Sequence, residues 1–280
     1  MRDVCIVGAG VAGLSAAIFT ARADLETLVV DGGESILARN ASLENYPGFP
    51  DGVDARRYLQ VVRDQATAAG ATIEPGRVVR VTRRTEGRPE TGFRVVLEEA
   101  ENEGGERPAG VDDGGSAGID DGGSAGVDDG GISGTGSVET RRLIAASWPD
   151  SDYLRALDVD RSQRGSKHFL DVGHGGRTAV EGLYGAGRLA GQPHQTVVAA
   201  GHGARVGLAA IHDADVAFYH DRVTPAGYFT GRGREIPPGC EEIDGVERRR
   251  RDERAREAIA ERYADPLGAE PTMHPNVEEG

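Results

Sequence analysis

Cysteine, lysine and aromatic residues are scarce in this chain of 280 residues. Its two cysteines, Cys5 and Cys240, form no C-x-x-C pair, so the sequence predicts no disulfide framework and no metal site. Lys167 is the only lysine, and the other basic residues are arginines. Long apolar runs are also missing, because glycines interrupt the N-terminal apolar segment, residues 4–17. We therefore expect no membrane partner and a cytoplasmic location.

Basic residues are outnumbered by acidic ones, and the formal net charge is −14. The acidic residues are spread along the chain, which argues against a nucleic-acid partner, since domains that bind phosphate backbones are usually basic. An acidic composition rich in arginine and poor in lysine is typical of proteins from salt-loving organisms. Surface carboxylates keep such proteins hydrated where salt screens their mutual repulsion. We therefore expect a halophilic protein.

The first thirty residues predict a β-α-β unit and an α/β fold. Residues 3–7 are typical of a buried strand, residues 11–23 of a helix rich in small side chains, and residues 27–31 of a second buried strand. Right-handed crossover makes the two strands parallel neighbours. Further on, residues 54–69 predict a helix with Asp54 as its N-cap. Residues 72–74, 78–82 and 93–98 predict short strands of a small antiparallel meander.

Residues 99–137 divide the predicted domain. Three eight-residue units, GVDDGGSA, GIDDGGSA and GVDDGGIS, favour a disordered, solvated insertion over a calcium-binding array, because the nine-residue period of a calcium β-roll is missing. A strand is expected at 139–147, polar irregular chain at 148–168 and a helix at 196–213. The prediction is thus one domain built from residues 1–98 and 138–214. Residues 215–280 form a C-terminal extension with a charged, ion-paired helix at 245–263.

A glycine motif stands between the first strand and the first helix. Gly8 permits the tight turn, Gly10 lets backbone approach a pyrophosphate, and Gly13 allows the helix to pack closely. The helix N-terminus offers its N–H groups to phosphates. Asp31 ends the second strand about twenty residues further on, where an acid accepts hydrogen bonds from a ribose diol. The arrangement predicts a dinucleotide site without distinguishing NAD from FAD.

A second glycine-bearing segment runs through residues 178–187 and leads to Gln195 and a helix start. If this helix abuts the first site, its N-terminal dipole can stabilise negative charge on a reduced flavin. The alternative is a packing helix whose small residues allow close contact. Spacing alone leaves both interpretations open.

Three stretches resemble the FAD domain of the low-molecular-weight thioredoxin reductases, in a haloarchaeal-type form. The first is DVCIVGAGVAGLSAAIFTARA, followed by TLVVDGG. The second, ENYPGFP at residues 44–50, is similar to that family's ENYPG loop. The third, residues 181–211, resembles the segment that completes the family's FAD domain. The resemblance implies a Rossmann-like FAD-binding domain with FAD as its cofactor.

The resemblance also implies a position for each matching residue along the cofactor. The expected residues are Gly8, Gly10, Ala12 and Gly13 at the pyrophosphate, Asp31 and Val79 at the adenosine, Gly187 and Arg188 at the ribityl chain, and Asn45, Gln195 and Thr196 at the flavin ring. Arg188 replaces the family's aspartate. A cation there adds a contact to the pyrophosphate or points outward.

The departures from the family concern the electron donor. The family carries an NADPH domain with a redox C-x-x-C pair, whereas here residues 148–169 fill that gap. We therefore predict a flavin-dependent oxidoreductase with an external donor, either a redox carrier protein or a diffusible reductant, and direct docking of NAD(P)H stays open. The alternative is a non-catalytic FAD-binding sensor or carrier. The family's homodimers suggest the same assembly here.

No catalytic residue is assigned by the pattern, and two side chains remain candidates. His194 precedes Gln195 and could donate a proton at the flavin, or could simply pack in a loop. Cys240 follows Pro237, Pro238 and Gly239 and could be a reactive thiol, although no base adjoins it in sequence. His202 and His174 have weaker claims.

Overall fold

A computed structural model describes residues 1–84, 92–98, 135–148, 151–165, 167–218, 221–268 and 270–273. Most of the predicted repeat insertion, residues 99–134, lies outside this range. Residues 135–137, which the prediction placed in the insertion, belong to a strand.

The main sheet confirms the expected α/β fold. Its strands are β1 (Arg2–Val7), β2 (Thr27–Asp31), β3 (Thr72–Pro75), β4 (Arg77–Arg83), β5 (Phe93–Glu98), β6 (Thr135–Ala145) and, after a hairpin described below, β9 (Leu183–Gly185). The hydrogen-bonded order is β3-β2-β1-β6-β5-β4, with β9 also paired to β6. Strands β3, β2, β1, β6 and β9 are parallel neighbours in that order.

Strand β6 belongs to two parts of the sheet, because its two halves have different partners. Its first half, from Thr135 to Thr140, pairs antiparallel with β5, which pairs antiparallel with β4. Its second half, up to Ala145, pairs parallel with β1. This gives the predicted small meander joined to a parallel sheet, and explains why β6 is longer than the strand expected at 139–147.

The helices are α1 (Val11–Arg22), α2 (Ala55–Ala68), α3 (Thr196–His212) and α4 (Gly245–Tyr263). The side chain of Asp54 caps α2, as predicted, by accepting hydrogen bonds from the N–H groups of Arg56 and Arg57 at 2.9 Å. All four helices begin at or within one residue of the predicted position. The C-terminal ends of the helices also lie within one residue of the predicted positions.

Both faces of the parallel sheet are buried. Along β1, Val4 and Ile6 contribute to the core that contains α1 and α3, whereas Cys5 and Val7 contribute to the core on the opposite face. A nearly continuous apolar strand is the pattern expected when both faces of a parallel sheet are covered. Burial raises the pKa of the Cys5 thiol to about 12, which is consistent with a structural core residue.

Residues 148–168 are not irregular throughout, which corrects the sequence-based expectation. A hairpin of β7 (Arg161–Arg164) and β8 (Lys167–Leu170) occupies the end of this segment. Its strands are mostly polar and carry no apolar alternation, so the usual strand signal is absent. Gly165, with a φ of +63°, lies in the turn and supplies the left-handed conformation.

The C-terminal extension contains a second structure that the sequence did not predict. Strands β10 (Arg222–Pro225) and β11 (Cys240–Ile243) pair in parallel as a two-stranded sheet. The predicted charged helix follows as α4 at the expected bounds. Within the described ranges, no helix combines the length and apolarity needed to cross a bilayer.

Candidate FAD site

The turn between β1 and α1 can be built only with glycine. Gly8 has a φ of +110°, and its N–H donates to the carbonyl oxygen of Val30 at 2.9 Å. A Cβ added at Gly8 would lie 2.8 Å from the carbonyl oxygen of Ala146, and one added at Gly13 would lie 2.0 Å from the Gly8 oxygen. The turn is therefore packed tightly against the ends of the parallel strands.

Gly10 faces open space by comparison. A Cβ there would meet only Ser35 Oγ within 4 Å, at 3.7 Å. Gly10 is the N-cap of α1 and supplies no side-chain hydrogen bond to the helix. The first N–H groups of α1 are thus available to a ligand that approaches past Gly10.

Helix α3 also starts without a side-chain cap. Its N-cap is Gln195, whose side chain accepts no hydrogen bond from the first turn. In contrast, Asp54 and Asp244 each accept two backbone hydrogen bonds at the starts of α2 and α4. The two helices without side-chain caps are the two that the resemblance places at the cofactor. Their N-terminal partial charges favour an anionic ligand.

The two glycine-bearing stretches meet through the packing of α1 and α3. A Cβ at Gly203 would lie 2.0 Å from the carbonyl oxygen of Ala12. A Cβ at Gly187, where φ is +62°, would lie 2.6 Å from Ala12 Cβ. Ala12 is therefore the point at which both later glycines contact the first helix. The first glycine motif and the start of α3 lie on adjoining elements, as the resemblance implies.

The 44–50 loop is joined to the start of α3 by a side-chain hydrogen bond. Asn45 Nδ2 donates to Gln195 Oε1 at 2.8 Å, and both side chains are exposed. Thr196 follows as the first residue of α3 and is half-buried. Three residues expected at the flavin ring therefore lie together, although they come from distant parts of the chain.

His202 has a role that its sequence context did not indicate clearly. The N–H of Gly187 donates to His202 Nδ1 at 3.0 Å, so this nitrogen must be unprotonated. Burial, with a smaller contribution from Arg205, lowers the pKa of His202 and favours the neutral ring. The imidazole holds the Gly187 turn against α3. The sequence feature that could have indicated this role is helical spacing, because His202 lies one turn before Val206, which is fully buried.

The residues expected at the adenosine lie at the far end of β2. Asp31 Oδ1 accepts from the N–H of Gly33 at 3.1 Å, and its carboxylate pairs with Arg63. The N–H of Gly76 donates to the Asp31 carbonyl oxygen at 3.0 Å, which brings the start of β4 to this point. Val79 is half-buried at a register shift between Val78 and Arg80 in β4.

Arg188 points across the molecule towards the hairpin. Its guanidinium carbon lies 5.2 Å from the centre of the Phe169 ring, and Nη1 donates to the Gln192 carbonyl oxygen at 3.2 Å. Its Nε is buried without a hydrogen-bond partner among the described residues. A buried guanidinium nitrogen without a protein partner can donate to a bound group or to water.

The two candidate catalytic side chains lie in different environments. His194 is exposed beside Gln195, and its ring lies 5.5 Å from that of Trp148. Burial, then the charges of Arg188 and Lys167, lower the pKa of His194. Cys240 starts β11 in the C-terminal sheet, is half-buried and is not joined to Cys5 by a disulfide.

Comparisons with known proteins agree with this geometry. Residues 3–43 match a family model described as an FAD binding domain. A thioredoxin reductase from Treponema pallidum is 44% identical over 86 residues, which are 29% of this chain and 27% of that relative. The chain thus spans about a quarter of the length of the curated relatives it matches.

Solved structures of low identity share the fold. The thioredoxin reductase of Lactococcus lactis superposes with a TM-score of 0.56 at 11% identity, covering 76% of this chain and 99% of that one. A ferredoxin-flavin thioredoxin reductase from Clostridium acetobutylicum gives a TM-score of 0.51 at 14% identity, covering 76% and 97%. At these identities the likeness is one of architecture.

Proposed function

We propose that this chain contains a thioredoxin reductase-like FAD-binding domain and is an FAD-dependent oxidoreductase that receives electrons from an external donor. The proposed domain consists of residues 1–98 and 138–214. The observation that carries the proposal is the hydrogen bond between Asn45 and Gln195 at the uncapped start of α3. It places polar amides and a positive helix end together, where a flavin ring that gains negative charge on reduction is best accommodated.

The residues present fit an extended dinucleotide. Gly10 leaves room beside the N–H groups of α1 for a pyrophosphate, and the buried Nε of Arg188 provides a further donor. Asp31 keeps acceptor capacity for a ribose diol beyond its contacts with Gly33 and Arg63. Gly187 and Ala12 bring the second glycine turn onto the first helix.

FAD, when bound, supplies one- and two-electron transfer chemistry. The chain's own residues bind and orient it. Asn45 and Gln195 fix the start of α3 at the ring, and His202 holds the Gly187 turn through its unprotonated Nδ1. His194, next to Gln195, is the nearest candidate for holding or moving a proton there. Burial and nearby cations lower the pKa of His194 and favour its neutral form, which keeps one N–H that can donate a hydrogen bond.

The proposal of an external donor rests on the chain between β6 and β9. Only residues 146–182 connect these two strands, and the described residues among them form a hairpin and short helical turns rather than a second β-α-β unit. The 280 residues include no C-x-x-C pair. The structural neighbour named a ferredoxin-flavin thioredoxin reductase makes a protein electron carrier a donor worth testing.

Three finer proposals accompany this function: a homodimer, a cytoplasmic location and a halophilic protein. Helix α4 supports the first, because it has no buried residue and leaves Val246 and Ile259 more than 60% exposed. Light scattering at defined protein concentrations tests the dimer. A monomer at all concentrations contradicts it.

The proposed function is tested by purifying the chain in concentrated salt, recording its visible spectrum and titrating it anaerobically with dithionite. The expected result is a bound flavin that is bleached by reductant and reoxidised with turnover by an added electron acceptor such as ferricyanide. A bound flavin that is inert to every reductant and acceptor contradicts catalysis and favours the sensor or carrier alternative. Absence of flavin contradicts both.

A matched pair of variants links the result to the site. Gly10→Val places a side chain in the space proposed for the pyrophosphate, where the fold itself offers only Ser35 Oγ nearby. It is expected to lose FAD while circular dichroism shows retained secondary structure. Gly201→Ala adds a Cβ on α3 with no neighbour within 4 Å and is expected to keep FAD.

A further inference from the structure

The β7–β8 hairpin is locally basic in an acidic protein. Residues 161–170, RSQRGSKHFL, contain Arg161, Arg164 and Lys167 and no acidic residue, whereas the whole chain has a formal charge of −14. Lys167 is also the only lysine of the chain. A concentrated positive charge on one exposed hairpin contrasts with the surface around it.

Two cations of the hairpin, Arg164 and Lys167, lie over aromatic rings, as does Arg188 from the following turn. Six residues form what we call the basic cluster: Trp148, Arg164, Lys167, Phe169, Arg188 and His194. The guanidinium carbons of Arg164 and Arg188 lie 5.4 and 5.2 Å from the centre of the Phe169 ring. Lys167 Nζ lies 5.6 Å from the Trp148 ring. Cation–π contacts of this kind hold the charges in place without neutralising them.

The arginines of the basic cluster lack acidic partners within the described part of the chain. Arg63, Arg177 and Arg251 each pair with a carboxylate. Arg164 and Arg188 form no ion pair with any described residue. The positive charges of Arg164 and Arg188 are therefore not neutralised by a described carboxylate and can attract an external anion.

The basic cluster adjoins the end of the site proposed for the flavin ring. Trp148 packs on His194, which directly precedes Gln195. Burial and then the positive charges of Arg188 and Lys167 lower the pKa of His194, as expected for cations that lie near its ring. A group bound on the cluster lies beside the start of α3.

We propose that the basic cluster is the docking surface for the acidic face of a small electron-carrier protein that reduces the bound FAD. This proposal rests on the proposed function. A protein is favoured over a small anion because the charges lie on an exposed hairpin and not in a closed cleft, and small molecules bind mostly in concave sites. Trp148 is 40% exposed, and tryptophan and arginine are enriched in the central contacts of protein interfaces.

The redox balance of such a complex requires two encounters with a one-electron carrier. Each reduced carrier gives up one electron and leaves oxidised, and two such electrons with a proton taken from water complete the reduction of FAD. Charge complementarity accelerates the encounter and orients the carrier. Contact ion pairs that are partly shielded from solvent persist where salt screens more distant charges.

The single lysine makes a direct test possible without measuring activity. A water-soluble carbodiimide joins carboxylates of one protein to primary amines of another. In this chain those amines are Lys167 and the N-terminal amine of Met1. The probe is an acidic iron–sulfur ferredoxin mixed with the purified flavoprotein, in the lowest salt that keeps the flavoprotein folded. The expected product is a one-to-one conjugate whose cross-linked peptide contains Lys167.

Matched variants distinguish a specific effect on ferredoxin docking from a general effect of the net charge. Lys167→Arg removes the cross-link but keeps the charge, so ferredoxin binding measured by calorimetry should change by less than about twofold. Arg164→Glu should weaken binding by about tenfold or more, because it reverses a charge in the interface. Arg248→Glu makes the same charge change on exposed α4 and should leave binding within about twofold.

Several outcomes overturn the docking proposal. They are conjugation only through Met1, no ferredoxin binding by a protein that carries reducible FAD, and equal loss of binding in the Arg164 and Arg248 variants. Reduction of the flavin by NADPH with the same dependence on Arg164 assigns the cluster to a small anion and also overturns it. The proposed function fails separately, if the purified chain carries no FAD or if dithionite cannot reduce it.

Discussion

Asn45 and Gln195 are 150 positions apart in sequence, yet Asn45 Nδ2 donates a 2.8 Å hydrogen bond to Gln195 Oε1. The bond closes the 44–50 loop against the start of α3. Because Gln195 does not cap its own helix, its side chain is free to serve this contact, and the first N–H groups of α3 remain directed at the proposed ring. The hydrogen bond therefore couples the position of the 44–50 loop to the position of α3.

The first prediction concerns this pair. Asn45→Ala and Gln195→Ala should each weaken FAD binding by about three- to tenfold, which corresponds to the loss of one hydrogen bond worth about 0.5–1.5 kcal/mol. The double variant should lose little more than either single one, since both remove the same contact. Quenching of FAD fluorescence measures the affinities. Asn40→Ala, an exposed asparagine in the same segment, serves as the control. Fully additive losses contradict the coupling.

The second prediction concerns the contact between α1 and α3. Gly203→Ala should lower the free energy of unfolding by about 1–3 kcal/mol, because its Cβ would lie 2.0 Å from the backbone oxygen of Ala12. Gly201→Ala on the same helix should raise it by about 0.5–1 kcal/mol, because its Cβ meets nothing and the unfolded chain loses freedom. Urea denaturation followed by circular dichroism measures both. Equal effects at the two positions would show that α3 does not pack here as described.

The third prediction concerns how the free energy of unfolding changes as pH falls below neutrality. The pKa of His202 is lowered in the folded protein, so the unfolded chain binds more protons as pH falls below 6.5. The stability that depends on the neutral ring is present above pH 6.5 and is lost as pH falls towards the lowered pKa. His202→Asn keeps an acceptor for the Gly187 N–H without titrating, and should reduce this pH dependence.

His212→Asn is the control for this series, because His212 is an exposed histidine at the end of the same helix. Unfolding free energies are measured by urea titration at several pH values between 5 and 8. The lowered pKa of His194 contributes a slope of the same sign, so the His202 variant should keep part of the dependence. A slope identical to that of the unmodified chain refutes the assigned hydrogen bond.

The fourth prediction concerns salt. With a formal charge of −14, self-repulsion destabilises the compact state when few counter-ions are present. Raising potassium chloride from about 0.1 M to 1 M shortens the screening length from about 10 to 3 Å and should raise the thermal midpoint of unfolding. Differential scanning calorimetry measures it, and sucrose controls for effects of the solvent that do not involve charge. A midpoint that is insensitive to salt contradicts a halophilic protein.

Local sequence signals predicted the β-α-β unit, the bounds of the helices and the glycine motif between β1 and α1. Gly8 and Gly13 illustrate the reason: Gly8 is required by the positive φ of the local turn, and Gly13 by its close approach to the Gly8 carbonyl oxygen. The meander was also predictable from apolar strand patterns. The fold class followed from these elements because few topologies accommodate them.

Contacts between distant segments were harder to predict from the sequence. The pairing of Asn45 with Gln195 rested on resemblance, since nothing in local spacing joins a loop to a helix start so far along the chain. The hairpin at Arg161–Arg164 and Lys167–Leu170 was missed because polar surface strands lack alternation. The role of His202 depends on the position of Gly187, which only the packed structure provides.

The central claim is that two distant glycine-bearing segments form a single FAD site. Its most direct test is the amount of FAD that remains bound to the purified chain after gel filtration in concentrated salt, determined from the visible spectrum and the protein concentration. We expect one bound FAD per chain, and we expect Gly10→Val to lose this FAD and Gly201→Ala to retain it. A folded chain that binds no FAD, or a Gly10→Val variant that binds it as well as the unmodified chain, contradicts the account.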